Sequence, residues 1–397
     1  MRILFVNKYL YQRGGAETYM LKLGEYMRSV GHEVQYFGME DEKNIVGNSV
    51  GAYTDNIDFH KSSVKYITYP FTVIYSKKAA EKIRAVIEDF KPDIVHMNNF
   101  NYQLTPSIIY EIKKHNIPIV YTAHDAQLVC PNHRMKNGVS DGLCRRCGGG
   151  KFHNCVKNRC VHSSTARSVI GAAESWVYRK KRTYRLIDAV VCPSEFMERE
   201  LMQNPDLVGR TMTLHNFIDE IKPSGIEREN YVLYFGRYSE EKGIRTLIKA
   251  ARALPALQFV FAGGGDMENE INNVENIRNL GFKSGIELRD IIEKAAFSVL
   301  ASEWAENCPF TVMESQTLCT PVIGADIGGI PELIDEGVTG MLFESGNAAE
   351  LTEKIEYLYK NKELCRSMQQ SCSRLSYDTI STYTDTMIKI YNELIKK

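Results

Sequence analysis

The chain has 397 residues, 44% hydrophobic and 25% charged, with equal numbers of basic and acidic side chains. That length exceeds one ordinary domain, and two of about 200 residues each would both bury a core. No apolar run nears the roughly 20 residues that span a bilayer, which excludes a transmembrane protein. The charge is unevenly spread: residues 1–215 carry nine more Lys and Arg than Asp and Glu, and the remainder the reverse. A basic half suits an anionic neighbour, whether nucleic acid, an acidic membrane surface or a phosphorylated acceptor, and is equally what lysine-rich solvated helix faces produce.

In chain order, ILFV is too short for a signal-peptide core and reads as a first strand, so a cytoplasmic location is expected. The helical pattern ETYMLKLGEYMRSV follows, then HEVQYFGM, KKAAEKIRAVIEDF, DIVHMNN, SIIYEIKKHN and IPIVYTAHD. Apolar runs alternating with helical patterns argue parallel βαβ units. A cysteine-rich insertion, 130–162, interrupts the series, which resumes with a helix near 165–186, DAVVCPS, FMERELMQ and TMTLHNF. After the polar joint at 219–230, YVLYFGR, GIRTLIKAARAL, LQFVFAGGGD, NIRNLGF, ELRDIIEKA, FSVLAS, FTVMESQTL and PVIGAD repeat the alternation. The expected fold is α/β: two doubly wound parallel-sheet domains, 1–218 and 219–376, facing a cleft into which the strands' carboxyl ends point. Residues 377–397 form a helical tail.

The segment ENCPFTVME places Glu306 before, and Glu314 inside, a helix started by Pro309. Proline suits a first turn, where its missing N–H would be unpaired anyway, and the backbone amides of Asn307, Cys308 and Phe310 beside it form an anion site. A phosphorylated ligand would sit between the glutamates, one taking hydroxyls of a sugar ring and the other those of a ribose. In FGRYSEEKG, Gly236 precedes two matching cations, Arg237 and Lys242. Gly14 and Gly15, after the first strand, let the backbone approach a diphosphate.

Taken together and in order, MRILFVNKYLYQRGGAE, TAHD, FGRYSEEKG, VFAGGGD, LGF and the two-glutamate segment resemble the retaining, nucleotide-sugar-dependent glycosyltransferases of family 4, which have the GT-B fold. The resemblance spans nearly the whole chain. It implies that Arg237 and Lys242 offset diphosphate charge, that Glu306 takes hydroxyls of the donor sugar, and that Glu314 binds the ribose. Phe282 and the Lys283 backbone would lie beside the base, with Gly264 and its neighbours keeping that strand end open. His124 would lie beside the anomeric centre, while Asp125 has three open roles: acceptor contact, orientation of His124, or helix capping. Retention in this class proceeds by same-face attack, the leaving phosphate taking the acceptor's proton, so no catalytic metal is expected. The tail helix would cross back onto the first domain.

Five of the ten cysteines fall in the insertion. Cys144 and Cys147 form a CxxC pair and Cys155 and Cys160 a second, which suits a structural Zn²⁺, with Cys130, His133, His153 and His162 as possible substitutes. Reduced thiols in a small core and an iron–sulfur cluster are the other readings. The stretch ESWVYRKKRTYRLI mixes Trp176, Tyr178 and Tyr184 with five cations, a composition suited to the anionic inner face of a membrane, and the acceptor would then be a saccharide or lipid-linked saccharide of cell-surface polysaccharide synthesis. A nucleotide-sugar epimerase is the competing enzyme class. A zinc-stabilised nucleic-acid binder would leave Arg237, Lys242, Glu306 and Glu314 without a purpose, so no nucleic acid is expected as partner.

Overall fold

The runs RILFV, IVHM, IVYT and AVVC are apolar along their length, as strands covered on both faces must be. They become β1 (Arg2–Val6), β3 (Ile94–Met97), β4 (Ile119–Thr122) and β5 (Ala189–Cys192), buried throughout except for Arg2. The computed structural model describes residues 1–56, 74–136 and 142–396, so 137–141 of the cysteine-rich segment lie outside it. Two compact units result: Met1–Asn216 together with Ile380–Lys397, and Phe217–Thr379.

In the first unit β2 (Glu33–Phe37) and β6 (Thr211–Thr213) complete a six-stranded sheet of order β2-β1-β3-β4-β5-β6, parallel at every pairing. The order reverses between β1 and β3. Around it pack α1 (Gly15–Ser29), α2 (Lys77–Phe90), α3 (Ser107–Lys114), α4 (His153–Lys157), α5 (Thr165–Lys180) and α6 (Glu195–Leu201). Serines start three of these: the hydroxyls of Ser76, Ser164 and Ser194 accept from Ala79, Arg167 and Met197 N–H groups that a first turn leaves unpaired.

The second unit carries β7 (Tyr231–Arg237), β8 (Gln258–Gly264), β9 (Ile277–Asn279), β10 (Phe297–Leu300), β11 (Val322–Ala325) and β12 (Gly340–Phe343) in the order β12-β11-β10-β7-β8-β9, again all parallel. This is the 3-2-1-4-5-6 order of dinucleotide-binding sheets, with its reversal between β7 and β10. Helices α7 (Ile244–Ala253), α8 (Glu268–Asn272), α9 (Gly285–Lys294), α10 (Phe310–Thr317), α11 (Ala348–Lys360) and α12 (Lys362–Cys372) cover it. Leu247, Phe259, Phe297, Met313 and Leu351 belong to its core and are wholly buried.

Two doubly wound parallel sheets are thus present, as the alternating pattern predicts. Three local expectations need correction. The helix expected over 165–186 stops at Lys180, because Arg182 turns left-handed at φ 53° and a short 3₁₀ turn, Thr183–Leu186, follows. Tyr178 and Tyr184 are buried, so they serve the core and cannot anchor a membrane. Pro309 is the cap outside α10, with φ −70° and ψ 120°, and Phe310 opens the helix. Finally, α13 (Ile380–Ile395) packs on α1 within the first unit, burying Tyr383, Met387 and Tyr391. Among the described residues no helix is long and apolar enough to cross a membrane.

Candidate active site

In open α/β sheets ligands settle at the carboxyl ends of the strands where the strand order reverses. In the second unit that point lies between β7 and β10, and two of the polar residues expected from sequence, Lys242 and Glu306, meet there. β7 ends at Gly236, which has φ 140°, and at Arg237, which is exposed and forms no ion pair among the described residues. Its backbone is fixed from below, the buried Tyr234 hydroxyl donating to the Arg237 carbonyl over 2.7 Å. Lys242 closes a 3₁₀ turn and Gly243 follows at φ 70°; a Cβ at Gly243 would lie 1.7 Å from the Ala301 carbonyl oxygen. Only glycine lets this loop press against the end of β10.

From that end comes Glu306. Its Oε1 is ion-paired to Lys242 and accepts from the Ser302 hydroxyl at 2.7 Å. Burial works against ionisation of Glu306, which is 9% exposed, yet Lys242 and Ser302 outweigh it and hold the carboxyl below its ordinary value. Its backbone is pinned as well: Gly329 N–H donates to the Glu306 carbonyl over 2.7 Å, and a Cβ on Gly328, at φ 66°, would come within 2.2 Å of the same oxygen. A buried carboxylate kept ionised in this way is a fixed acceptor for hydroxyl groups.

The rest of the expected set divides. Asn307 is half-buried, whereas the Cys308 side chain belongs to the core against Met313, so only its backbone is available. Pro309 and Phe310 bring the free amides of α10 to the same strand end, and Glu314 is half-buried in the helix. Phe282 is 81% exposed, an aromatic face open to a partner, while Lys283 pairs with Glu287. Gly263 must be glycine because a Cβ there would meet the Gly236 carbonyl oxygen at 1.9 Å; Gly264 faces open space. Ser302, Gly243 and Gly328 escaped the sequence reading. Ser302 stands four residues before Glu306 in SEWAE, and that spacing was the available signal.

The other expected residues sit in the first unit. Gly14 caps α1 and Gly15 is its first residue, so both lie at a helix N-terminus. His124 follows β4; its Nε2 donates to Asn98 Oδ1 at 2.8 Å, the Tyr19 ring stands edge-on 4.9 Å away, and burial pushes its pKa down to about 3, leaving a neutral ring. Asp125 Oδ1 accepts from Gln127 N–H at 2.9 Å, and burial lifts its pKa to about 6.

Cys130, Cys144, Cys147, Cys155 and Cys160 line one cavity with Met135 and Gln203. Burial raises the thiols of Cys130, to about 11, and Cys147, to about 12, and pushes up those of Cys155 and Cys160. Five sulfurs around one space suit a soft metal chemically. In this arrangement, however, no group of three or more His, Cys, Asp or Glu among the described residues is placed to hold a metal ion.

The family model described as Glycosyltransferase Family 4 matches residues 13–221, and the one described as Glycosyl transferases group 1 matches residues 216–373. An uncharacterized glycosyltransferase of Methanocaldococcus jannaschii is 28% identical over 195 residues, 48% of this chain and 54% of that protein, so the chain spans about half the length of that relative. An uncharacterized 42.6 kDa protein in the cps region of Klebsiella pneumoniae is 24% identical over 84% of this chain and 87% of its own length. Anabaena Alr3699/HepE, solved in complex with UDP, has the same fold: TM-score 0.69 and 16% identity, covering 99% of this chain and 100% of that one.

Proposed function

The chain belongs to glycosyltransferase family 4, and on that premise we propose that it moves a sugar, with retention, from a nucleoside diphosphate, UDP first and GDP next, to a saccharide or lipid-linked saccharide. The observation that supports this most is the ionised Glu306 held by Lys242 and Ser302 at the second sheet's reversal point. Breaking a sugar–diphosphate bond builds negative charge on the leaving group, and fixed cations and amide dipoles stabilise it most when water is excluded. Arg237, Lys242 and the α10 amides would do this without a metal. Glu306 would grip the sugar's hydroxyls, Glu314 the ribose, and Phe282 the base. His124, neutral, would donate or accept a hydrogen bond at the sugar.

UDP is the first donor to test because the Anabaena protein was solved with it. A place in cell-surface polysaccharide synthesis draws on the cps-region relative. The decisive experiment is a thermal-shift screen against UDP-, GDP-, ADP- and dTDP-sugars, followed by Glu306→Gln. One nucleotide sugar should raise the melting temperature, and E306Q should abolish turnover in a folded protein. Isomerisation of the sugar without any acceptor would identify an epimerase instead.

Two lesser proposals accompany it. A structural Zn²⁺ in the cysteine segment draws on the five thiols around one cavity, although no three of the described residues there are placed to hold an ion in this arrangement. Contact with an anionic membrane draws on Trp176, 56% exposed with Lys180 5.1 Å over its ring, beside exposed Lys181 and Arg185. Equal recovery of soluble protein in flotation with and without anionic liposomes would remove it.

A further inference from the structure

The first sheet also reverses its order, between β1 and β3, and the loops leaving those strands hold polar groups that the reading above does not use. After β1, the Lys8 ammonium lies over two aromatic faces, 5.7 Å from the Tyr9 centroid and 5.6 Å from that of Tyr102. It has no ion pair among the described residues. Arg13 also stacks on Tyr9, its guanidinium carbon 4.1 Å from the centroid. The nearby carboxylates are otherwise engaged: Glu17 accepts from Asn7 at 3.1 Å and Asp125 from the Gln127 amide.

After β3, Asn98 is wholly buried and Asn101 is 7% exposed, yet Asn98 Nδ2 and Asn101 Oδ1 have no partner. Native structures rarely leave buried amide groups unpaired, and each one costs stability until something meets it. The loops after β3 and β4 store strain. Tyr102 and His133, stacked at 5.0 Å, both hold the left-handed backbone that favours glycine, at φ 64° and 65°. Unpaired amides beside an ammonium and a guanidinium that form no ion pair among the described residues are the complement of a sugar that also bears an acid. Hydroxyls satisfy both donors and acceptors, and the anion meets the cations.

We propose that this reversal point selects an acceptor carrying an acidic group, a uronate carboxylate or a phosphate, bound by Lys8 and Arg13, with Asn98 and Asn101 taking its hydroxyls. The proposal rests on the glycosyltransferase reading and names the acceptor class. The test uses the full chain with its nucleotide bound. Isothermal titration compares uronate-containing oligosaccharides with their carboxyl-reduced counterparts, and inorganic phosphate serves as a separate probe. The acidic form should bind at least ~10-fold tighter than the reduced one, about the ratio expected from one charge-assisted contact. Lys8→Met should erase that preference, Lys8→Arg should restore it, and nucleotide affinity should not change in either. Phosphate binding without uronate preference, lost in K8M, would identify the acid as a phosphate. Equal binding of both oligosaccharides with no phosphate binding, or an acid preference that survives K8M, would overturn the proposal. So would loss of nucleotide affinity in K8M, which would assign Lys8 to the donor. Absence of nucleotide binding in the unaltered protein would instead refute the glycosyltransferase reading.

Discussion

The hydroxyl of Tyr383, on the last helix, lies 2.8 Å from that of Tyr19, on the first, and the Tyr19 ring stands edge-on to His124. The connection runs deeper. Tyr19 also meets the Thr122 hydroxyl at 3.2 Å, Thr122 meets His96 Nε2 at 2.7 Å, and His96 Nδ1 meets the Tyr391 hydroxyl. Burial keeps His96 neutral, with a pKa pushed down to about 3.

Removing single members should rank accordingly. Tyr383→Phe leaves Tyr19 its bond to Thr122 and is expected to cost about 1 kcal/mol, whereas Tyr391→Phe strands a buried ring nitrogen and should cost about 1–3 kcal/mol. Urea unfolding of the two variants measures the order; a costlier Y383F would mean the network is not organised this way.

Lys242→Met removes the cation that keeps Glu306 ionised, and it should destabilise the protein by about 2 kcal/mol or more, since one charge of a buried pair is then left alone. The sign with pH follows from the lowered Glu306 value. Its stabilisation is present above the unfolded pKa and is lost as pH falls through the lower folded one. In K242M burial of Glu306 is no longer offset, so that acid-side loss should shrink or reverse, and the double variant K242M/E306Q should be more stable than K242M alone at neutral pH. Denaturation between pH 3 and 8 reads both effects.

Glu174, 7% exposed beside Tyr178 and Tyr184, has its pKa raised by burial to about 8. A raised carboxyl favours folding below its unfolded pKa and progressively less as pH rises to the folded value. Wild-type stability should therefore fall between pH 5 and 8 by about 2 kcal/mol more than that of Glu174→Gln. Parallel pH profiles would contradict this.

Gly328→Ala forces a methyl toward the Glu306 carbonyl from a left-handed backbone. The expected cost is about 1–3 kcal/mol, together with a fall in turnover larger than that of Gly346→Ala. Gly346 is also left-handed, at φ 82°, but has open space around it, so it isolates the backbone penalty from the collision.

For the cysteine segment, metal analysis of protein purified without chelator should find about one zinc per chain. C144S/C147S should lose it and melt at lower temperature. Metal-free protein whose melting temperature ignores added zinc would leave reduced, buried thiols as the answer.

The sheets were legible because parallel strands announce themselves: FSVL and VLYFG have no polar side to hide. The glutamate segment was legible because proline, glycine and acid fall at fixed places around a helix start. What could not be read was who meets whom across the fold. Lys242 and Glu306 are far apart in sequence and each by itself suits a ligand, so nothing local shows that they pair with each other. The break at Arg182 interrupts a run of good helix formers, and only Thr183 and Tyr184 turning inward explain why the chain leaves the helix there.

The second unit is one unbroken stretch, Phe217–Thr379, whereas the first needs the helix that follows it. During synthesis the later half can therefore reach its native state while the earlier half still lacks Tyr383 and Tyr391, with His96 and Tyr19 awaiting their partners. The first unit is complete only once residues 380–395 have been made, so its closure waits on a helix that follows the whole of the second unit in the chain.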